Sequence, residues 1–215
     1  MVPDPEAAAR RGAELIAEAG REAVSDHGSF SLALSGGRTP SRMLALLGDA
    51  PLPWERTEIF QADERIAPPG SADRNLTQLI LSLPIERQSA LRPMPVTSRD
   101  LDDAARQYES QLPEHLDLVH LGLGPDGHTA SLVPGDPVLE VTDRRVALTE
   151  APYQGHRRMT LTYPALRAAR RILWLITGED KREGLERLLA GDESIPAGRV
   201  KNDEMVIVAD AAAAN

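Results

Sequence analysis

Phe30-Ser31-Leu32-Ala33-Leu34-Ser35-Gly36-Gly37-Arg38-Thr39-Pro40-Ser41 is the stretch on which the fold turns. Residues 30–34 have the length and apolar content of a short buried strand. Two glycines follow at once, and residues 41–47 then read as a helix opened by Thr39 and Pro40. Strand, tight turn and helix in direct succession form the first half of a β-α unit.

The same alternation continues on both sides of this stretch. Upstream, residues 5–24 place Leu15, Ile16, Ala19 and Val24 at helical spacing after an Asp4-Pro5 start. Downstream, strands are expected at 58–62, 116–124, 171–177 and 205–209, with two further candidates at 145–149 and 158–162. Helices are expected at 75–82, 101–112 and 179–189, and 211–214 reads as a helix end or frayed tail. Apolar strands alternating with helices indicate an α/β fold, Rossmann-like, with a mostly parallel sheet and helices on both faces. No composition shift, repeat or linker divides the chain, so residues 1–215 read as one domain. Ligands in such sheets bind beyond the C-terminal ends of the strands.

Composition narrows the function classes. Net charge is −9, from 33 acids and 24 bases, which disfavours nucleic acid and anionic membranes as partners. Aromatic residues make up only 3%, too few for base-stacking platforms. Cysteine is absent, which removes disulfides, thiolate nucleophiles and Cys-ligated zinc together. No apolar run approaches the length of a membrane span, and the acidic, Ala-rich start does not resemble a secretory signal. A cytoplasmic location is therefore expected. Only Lys181 and Lys201 of the 24 bases are lysines, so abundant Arg says little about function.

Four motifs follow strand ends or flank strands. Ser35-Gly36-Gly37-Arg38-Thr39-Pro40 reads either as a plain β-to-α turn or as a phosphate cradle. In the second reading backbone N–H groups approach without a Cβ, Thr39 adds a hydroxyl and Arg38 adds charge. Asp63-Glu64-Arg65 reads as a solvated loop, or as a strand end that turns Asp63 and Arg65 to one side of a crevice. In Gly122-Leu123-Gly124-Pro125-Asp126-Gly127-His128-Thr129-Ala130-Ser131-Leu132, glycines and a proline fix an unusual backbone course. His128 beside Asp126 is then a general base with an orienting carboxylate, or else a structural His with a capping Asp. The cations Arg157, Arg158 and Lys181 are surface charges or anion contacts. His27, His115, His120 and His156 lack such a setting and read as surface or core residues. No H-E-x-x-H, H-x-x-E-H or G-x-S-x-G pattern occurs, so neither a metal nor a serine triad is expected, and no cofactor is implied.

Taken in order with Asp73-Arg74-Asn75, Arg158-Met159-Thr160-Leu161-Thr162 and Gly178-Glu179-Asp180-Lys181, these motifs resemble the 6-phosphogluconolactonases over nearly the whole chain. The resemblance implies a fold similar to that of the glucosamine-6-phosphate isomerase, ribose-5-phosphate isomerase and CoA transferase-like group. It implies hydrolysis of 6-phospho-D-glucono-1,5-lactone, with no cofactor and no metal. His128 would be the general base and Asp126 its orienter, with Asp63 and Arg65 on the substrate. Ser35, Gly36, Gly37, Arg38, Thr39, Asn75, Arg158 and Lys181 would bind substrate and its phosphate. The expected partner is this small phosphosugar lactone, bound by a monomer or weak homodimer.

Two alternatives stand beside this reading, the second of another class. An amino-sugar-phosphate isomerase or deaminase would share the phosphate clamp, but that group continues past its His with a Phe-Asn-Glu run. Here Thr129-Ala130-Ser131-Leu132 stands instead. A non-catalytic sugar-phosphate sensor would carry a DNA-binding segment, for which the chain has neither room nor charge.

Overall fold

The computed structural model describes residues 1–214. Its first half runs α1 (Pro5–His27), β1 (Phe30–Leu34), α2 (Arg38–Gly48), β2 (Thr57–Gln61), β3 (Asp63–Arg65), α3 (Asn75–Ser82), β4 (Leu91–Arg92) and α4 (Leu101–Gln111). Its second half runs β5 (Leu118–Leu121), β6 (Val146–Leu148), β7 (Arg158–Leu161), α5 (Tyr163–Ala168), β8 (Ile172–Ile176), α6 (Arg182–Leu189), β9 (Met205–Ala209) and α7 (Ala211–Ala214). β1 and β9 have the bounds expected from sequence. α1 runs a turn past the expected 5–24, from Asp4, whose Oδ1 accepts from Ala7 N at 2.8 Å, to Gly28, whose N–H returns to Val24 O. α6 starts at Arg182 because Glu179–Lys181 winds into a 3-10 turn first.

Six strands form one parallel sheet in the order β4-β2-β1-β5-β8-β9. Alternation along each strand divides the core in two. Phe30, Leu32 and Leu34 of β1, Leu118 of β5, and Leu173 and Leu175 of β8 pack with α1, α2 and α3. Ala33, Val119, Leu121, Ile172, Trp174 and Ile176 face α4, α5, α6 and α7. Helices thus cover both faces. Aromatics are few, yet Trp174, Tyr108, Phe30 and Phe60 are all fully buried. Among the described residues no helix is long and apolar enough to cross a membrane.

The second layer of the fold is a departure from a single sheet. β3, β7 and β6 form a separate antiparallel sheet, in which Asp63 pairs Thr160 and Arg65 pairs Arg158. Only Ala62 separates β2 from β3, and Leu161 N donates to Ala62 O at 2.7 Å. The small sheet therefore sits directly over the C-terminal end of β2. Its Val146, Met159 and Leu161 join the α4 side of the core.

His120 is a core histidine. It is fully buried in β5, and neither ring nitrogen has a hydrogen-bond partner. Burial pulls its pKa down to about 4, so the ring is neutral when the protein is folded near pH 7. The unfolded chain binds this proton below about pH 6.5, whereas the folded chain takes it only near pH 4. Stability is accordingly full above that window and lost as pH falls through it, by up to ~3 kcal/mol from this one group. His120→Leu is expected to abolish that part of the acid loss in urea melts between pH 7 and 4, with little change at pH 7. An unaltered pH slope would refute it.

Candidate active site

The chain builds outward from β1 in two directions. β2 and β4 extend the sheet on one side, and β5, β8 and β9 on the other. Loops after β1 and β5 therefore part from each other, and the crevice at such a switch point is where α/β sheets bind ligands. At its base Ser35 N still donates to His120 O at 3.3 Å. The segments that follow β1, β2, β5 and β8 carry most of the motifs named from sequence, and Arg158 opens β7.

After β5 the chain turns tightly. Gly127 N donates to Gly124 O, and Gly124 N to His128 O. His128 lies so close over Gly124 that a Cβ there would sit 2.0 Å from Nδ1, so only glycine fits. Nδ1 meets Asp126 Oδ1 at 2.5 Å, and the same oxygen accepts from His128 N at 3.2 Å. Asp126 thus both caps the turn and orients the ring. Burial pushes the Asp126 carboxyl up. The His128 ring, its backbone N–H and the Tyr153 hydroxyl outweigh that effect and hold the carboxyl below the usual range. With Nδ1 occupied as donor, Nε2 is the nitrogen left with a lone pair.

The expectation of two options for Asp63-Glu64-Arg65 resolves in favour of burial. Asp63 accepts from Ser131 Oγ at 2.7 Å and from Asn75 Nδ2 at 3.1 Å, and lies 3.8 Å from Arg158 Nη1. Burial raises its pKa against the opposing pull of Ser131 and Arg158. Arg65 Nη1 donates to Asn75 Oδ1 at 3.0 Å and to Asp73 O at 2.9 Å. Asp63 and Arg65 therefore do face one side, and Asn75 joins them. Asn75 also lies against Gly36, where a Cβ would come within 2.3 Å of its Oδ1, so the β1 loop needs glycine there too.

Glu64 points the other way and is fully buried. It accepts from Arg65 N and Asn75 N at 2.7 Å, Leu76 N at 2.9 Å and Gln61 Nε2 at 3.0 Å. The residue before α3 is Arg74, which has no acceptor for the helix N–H groups, and Glu64 caps the helix in its place.

The β1 loop opens α2 at Gly37, with no side-chain cap on the helix N–H groups. Ser35 Oγ is buried without a partner. Thr39 Oγ1 and Thr177 Oγ1 are 2.8 Å apart, which brings the loop after β8 alongside. There Lys181 Nζ meets Asp180 Oδ2 at 2.9 Å. The Lys181 hydrogen bond holds the Asp180 carboxyl below its usual range, with a smaller contribution from Arg38. Arg158 stands on another element, β7. It is buried on the small sheet, with Nη2 donating to Tyr153 O at 3.0 Å.

His128, Asp126, Tyr153, Arg158, Asp63, Asn75 and Arg65 thus form one continuous chain of contacts, touching Gly36 at one end. Glu64 and Tyr153 are members to which the sequence does not point. The signal for Glu64 is the missing N-cap at position 74. For Tyr153 it is the turn at Gln154-Gly155 just before Arg158. At the opposite end of the strands a polar cavity of about 250 Å³ surrounds Asp117. That carboxylate is fully engaged by Ser31 N, Ser31 Oγ and His27 Nε2, and ties α1 to the sheet.

Residues 3–208 match the family model described as glucosamine-6-phosphate isomerases/6-phosphogluconolactonase. A 6-phosphogluconolactonase of Streptomyces coelicolor is 34% identical, over 92% of this chain and 87% of that one. One of Synechocystis sp. is 34% identical, over 79% of this chain and 75% of its own length. Among solved structures, a 6-phosphogluconolactonase from Shewanella baltica superposes with a TM-score of 0.86 at 28% identity, over 97% of this chain and 95% of that one.

Proposed function

The chain belongs to the glucosamine-6-phosphate isomerase/6-phosphogluconolactonase family, and from that premise we propose that it hydrolyses 6-phospho-D-glucono-1,5-lactone to 6-phospho-D-gluconate, a step of the oxidative pentose phosphate pathway. The observation that carries the reading is the His128–Asp126 pair, 2.5 Å apart at the C-terminal end of β5, beside the switch-point crevice. In this reading His128 Nε2 takes a proton from water as its oxygen bonds to C1 of the lactone. The carbonyl electrons move onto the exocyclic oxygen, giving a tetrahedral oxyanion. Arg65 supports that charge, where a preorganised donor is worth about 3–4 kcal/mol. When the oxyanion collapses, the bond from C1 to the ring oxygen breaks, and the proton on Nε2 passes to that oxygen. Base and acid are thus one residue, and its tautomer is set by Asp126.

Asp63 and Asn75 hold sugar hydroxyls. The phosphate is held by the backbone of Ser35, Gly36 and Gly37, by Thr39, and by the charges of Arg38, Arg158 and Lys181. Binding far from C1 fixes the carbonyl before Nε2. The deaminase alternative lacks its further carboxylate, because Thr129-Ala130-Ser131-Leu132 follows the His; Thr129 donates to Gly122 O at 2.9 Å and Ser131 to Asp63.

The test generates the lactone in situ from glucose 6-phosphate and follows 6-phosphogluconate with a coupled dehydrogenase. The spontaneous opening of the lactone is the blank. Folded protein that does no better than this blank would sink the proposal.

The clamp makes its own prediction. Asp180 is exposed and Lys181 half-buried, so exchanging this partly solvated pair for a phosphate contact costs little. Lys181→Ala is expected to raise KM for the phosphorylated lactone by roughly tenfold or more, as for a lost charge-assisted bond, while kcat stays within about threefold. An unchanged KM removes Lys181 from the clamp.

A further inference from the structure

We propose that Tyr153 is a positioning residue for the reaction, holding Asp126 so that His128 keeps its proton on Nδ1. This rests on the lactonase reading and deepens it. The Tyr153 hydroxyl contacts both members of the pair: Asp126 Oδ2 at 3.0 Å and His128 Nδ1 at 3.3 Å. Because Nδ1 donates to Asp126 Oδ1, the hydroxyl has only Oδ2 to donate to. The two carboxylate oxygens are thereby taken by two different donors. Without the hydroxyl Asp126 is held through Oδ1 alone, by His128 itself, and can rotate about its last side-chain bond and loosen the ring. A ring protonated on Nε2 instead has no lone pair facing water, and cannot act as base.

The need for a second tether lies in the loop. Asp126 stands between Pro125 and Gly127 with its side chain about a third exposed, so packing does not hold it. Tyr153, by contrast, is firmly placed. It forms a tight turn in which Tyr153 N donates to His156 O at 2.9 Å, with positive φ at Gln154 and Gly155. Arg158 donates to Tyr153 O at 3.0 Å, and its guanidinium lies 5.5 Å from the ring centroid. The Tyr153 ring meets the His128 ring edge to face, 5.1 Å between centroids. Tyr153 thus transmits the order of the small sheet to the base.

Tyr153→Phe removes the hydroxyl and leaves the turn, the Arg158 contact and the ring packing. The experiment records 15N imidazole shifts of His128 in wild type and Y153F, with thermal melts and kinetics on the same samples. The expected result is an Nδ1–H tautomer in wild type and a mixture of tautomers in Y153F. The melting temperature should be unchanged, KM should be near the wild-type value and kcat should fall by roughly fivefold, the scale of one hydrogen bond. A His128 spectrum identical in the two proteins overturns the proposal, whatever the rate does. A wild-type protein that does not exceed spontaneous lactone opening overturns the lactonase reading instead, and the spectra still decide the role of Tyr153.

Discussion

His128→Ala is expected to lower kcat by about 10²–10⁴-fold, the span that a positioned general base and acid contributes. The loss is large because one residue serves both proton transfers. Once Nε2 is gone, water attacks unassisted and the ring oxygen leaves as an alkoxide. KM should change little, since no phosphate contact involves this ring. The fold should survive, because the loop is held by other bonds. Thr129 Oγ1 donates to Gly122 O at 2.9 Å, Ala197 N to Gly127 O at 3.0 Å, and Gly127 N to Gly124 O at 3.0 Å. The coupled assay with its spontaneous blank reads the rate, and circular dichroism checks the fold. A variant that retains more than a tenth of wild-type kcat would remove His128 from the base role and shift attention to Asp63.

Glu64→Ala is expected to cost about 3–5 kcal/mol, the range for removing one partner of a buried pair. Four donors lose their acceptor at once, including the first two N–H groups of α3. Arg74, itself buried, keeps its charge with nothing opposite. Its Nε lies 3.4 Å from Glu64 Oε2, an ion-pair contact without hydrogen-bond alignment. In a chain of this size the loss corresponds to a fall in melting temperature of about 10 °C. Glu64→Gln should lie between, because the amide can accept at one atom only and turns its NH₂ toward other donors. Activity of the surviving folded protein should also fall, since Glu64 fixes the backbone of Arg65 and Asn75. A melting temperature within 2 °C of wild type would show that water or a shifted Arg74 replaces the carboxylate, and would end this account of α3 capping.

These two residues differ in how openly the sequence shows them. His128 stands in a run of glycines with a carboxylate two residues away, and its chemistry is local. The contacts at 2.5 and 3.2 Å that define it arise within three residues. Glu64 sits between two charges, where a solvated loop is the plainer reading. Its partners lie 11 and 12 residues on, across a turn whose path no local pattern specifies. The same distinction separates Lys181, set by a turn, from Tyr153, which reaches Asp126 from 27 residues away.

The fold divides along the same line. Apolar runs of four to five residues between helices determine by themselves that β1, β5 and β8 are parallel strands under helices, because burial on both faces permits little else. The glycines after β1 and β5 likewise announce a close backbone approach. What only the tertiary structure decides is the order of the strands, hence the switch point, and the separation of β3, β7 and β6 into a second antiparallel sheet. Pairing of distant segments is a matter of which surfaces meet, and a strand's own sequence carries its faces but not its neighbour. That small sheet brings Asp63 and Arg158 within 3.8 Å of each other and sets Tyr153 over His128. The chemistry of the base is therefore written in one loop, and its surroundings exist only when the chain has closed upon itself.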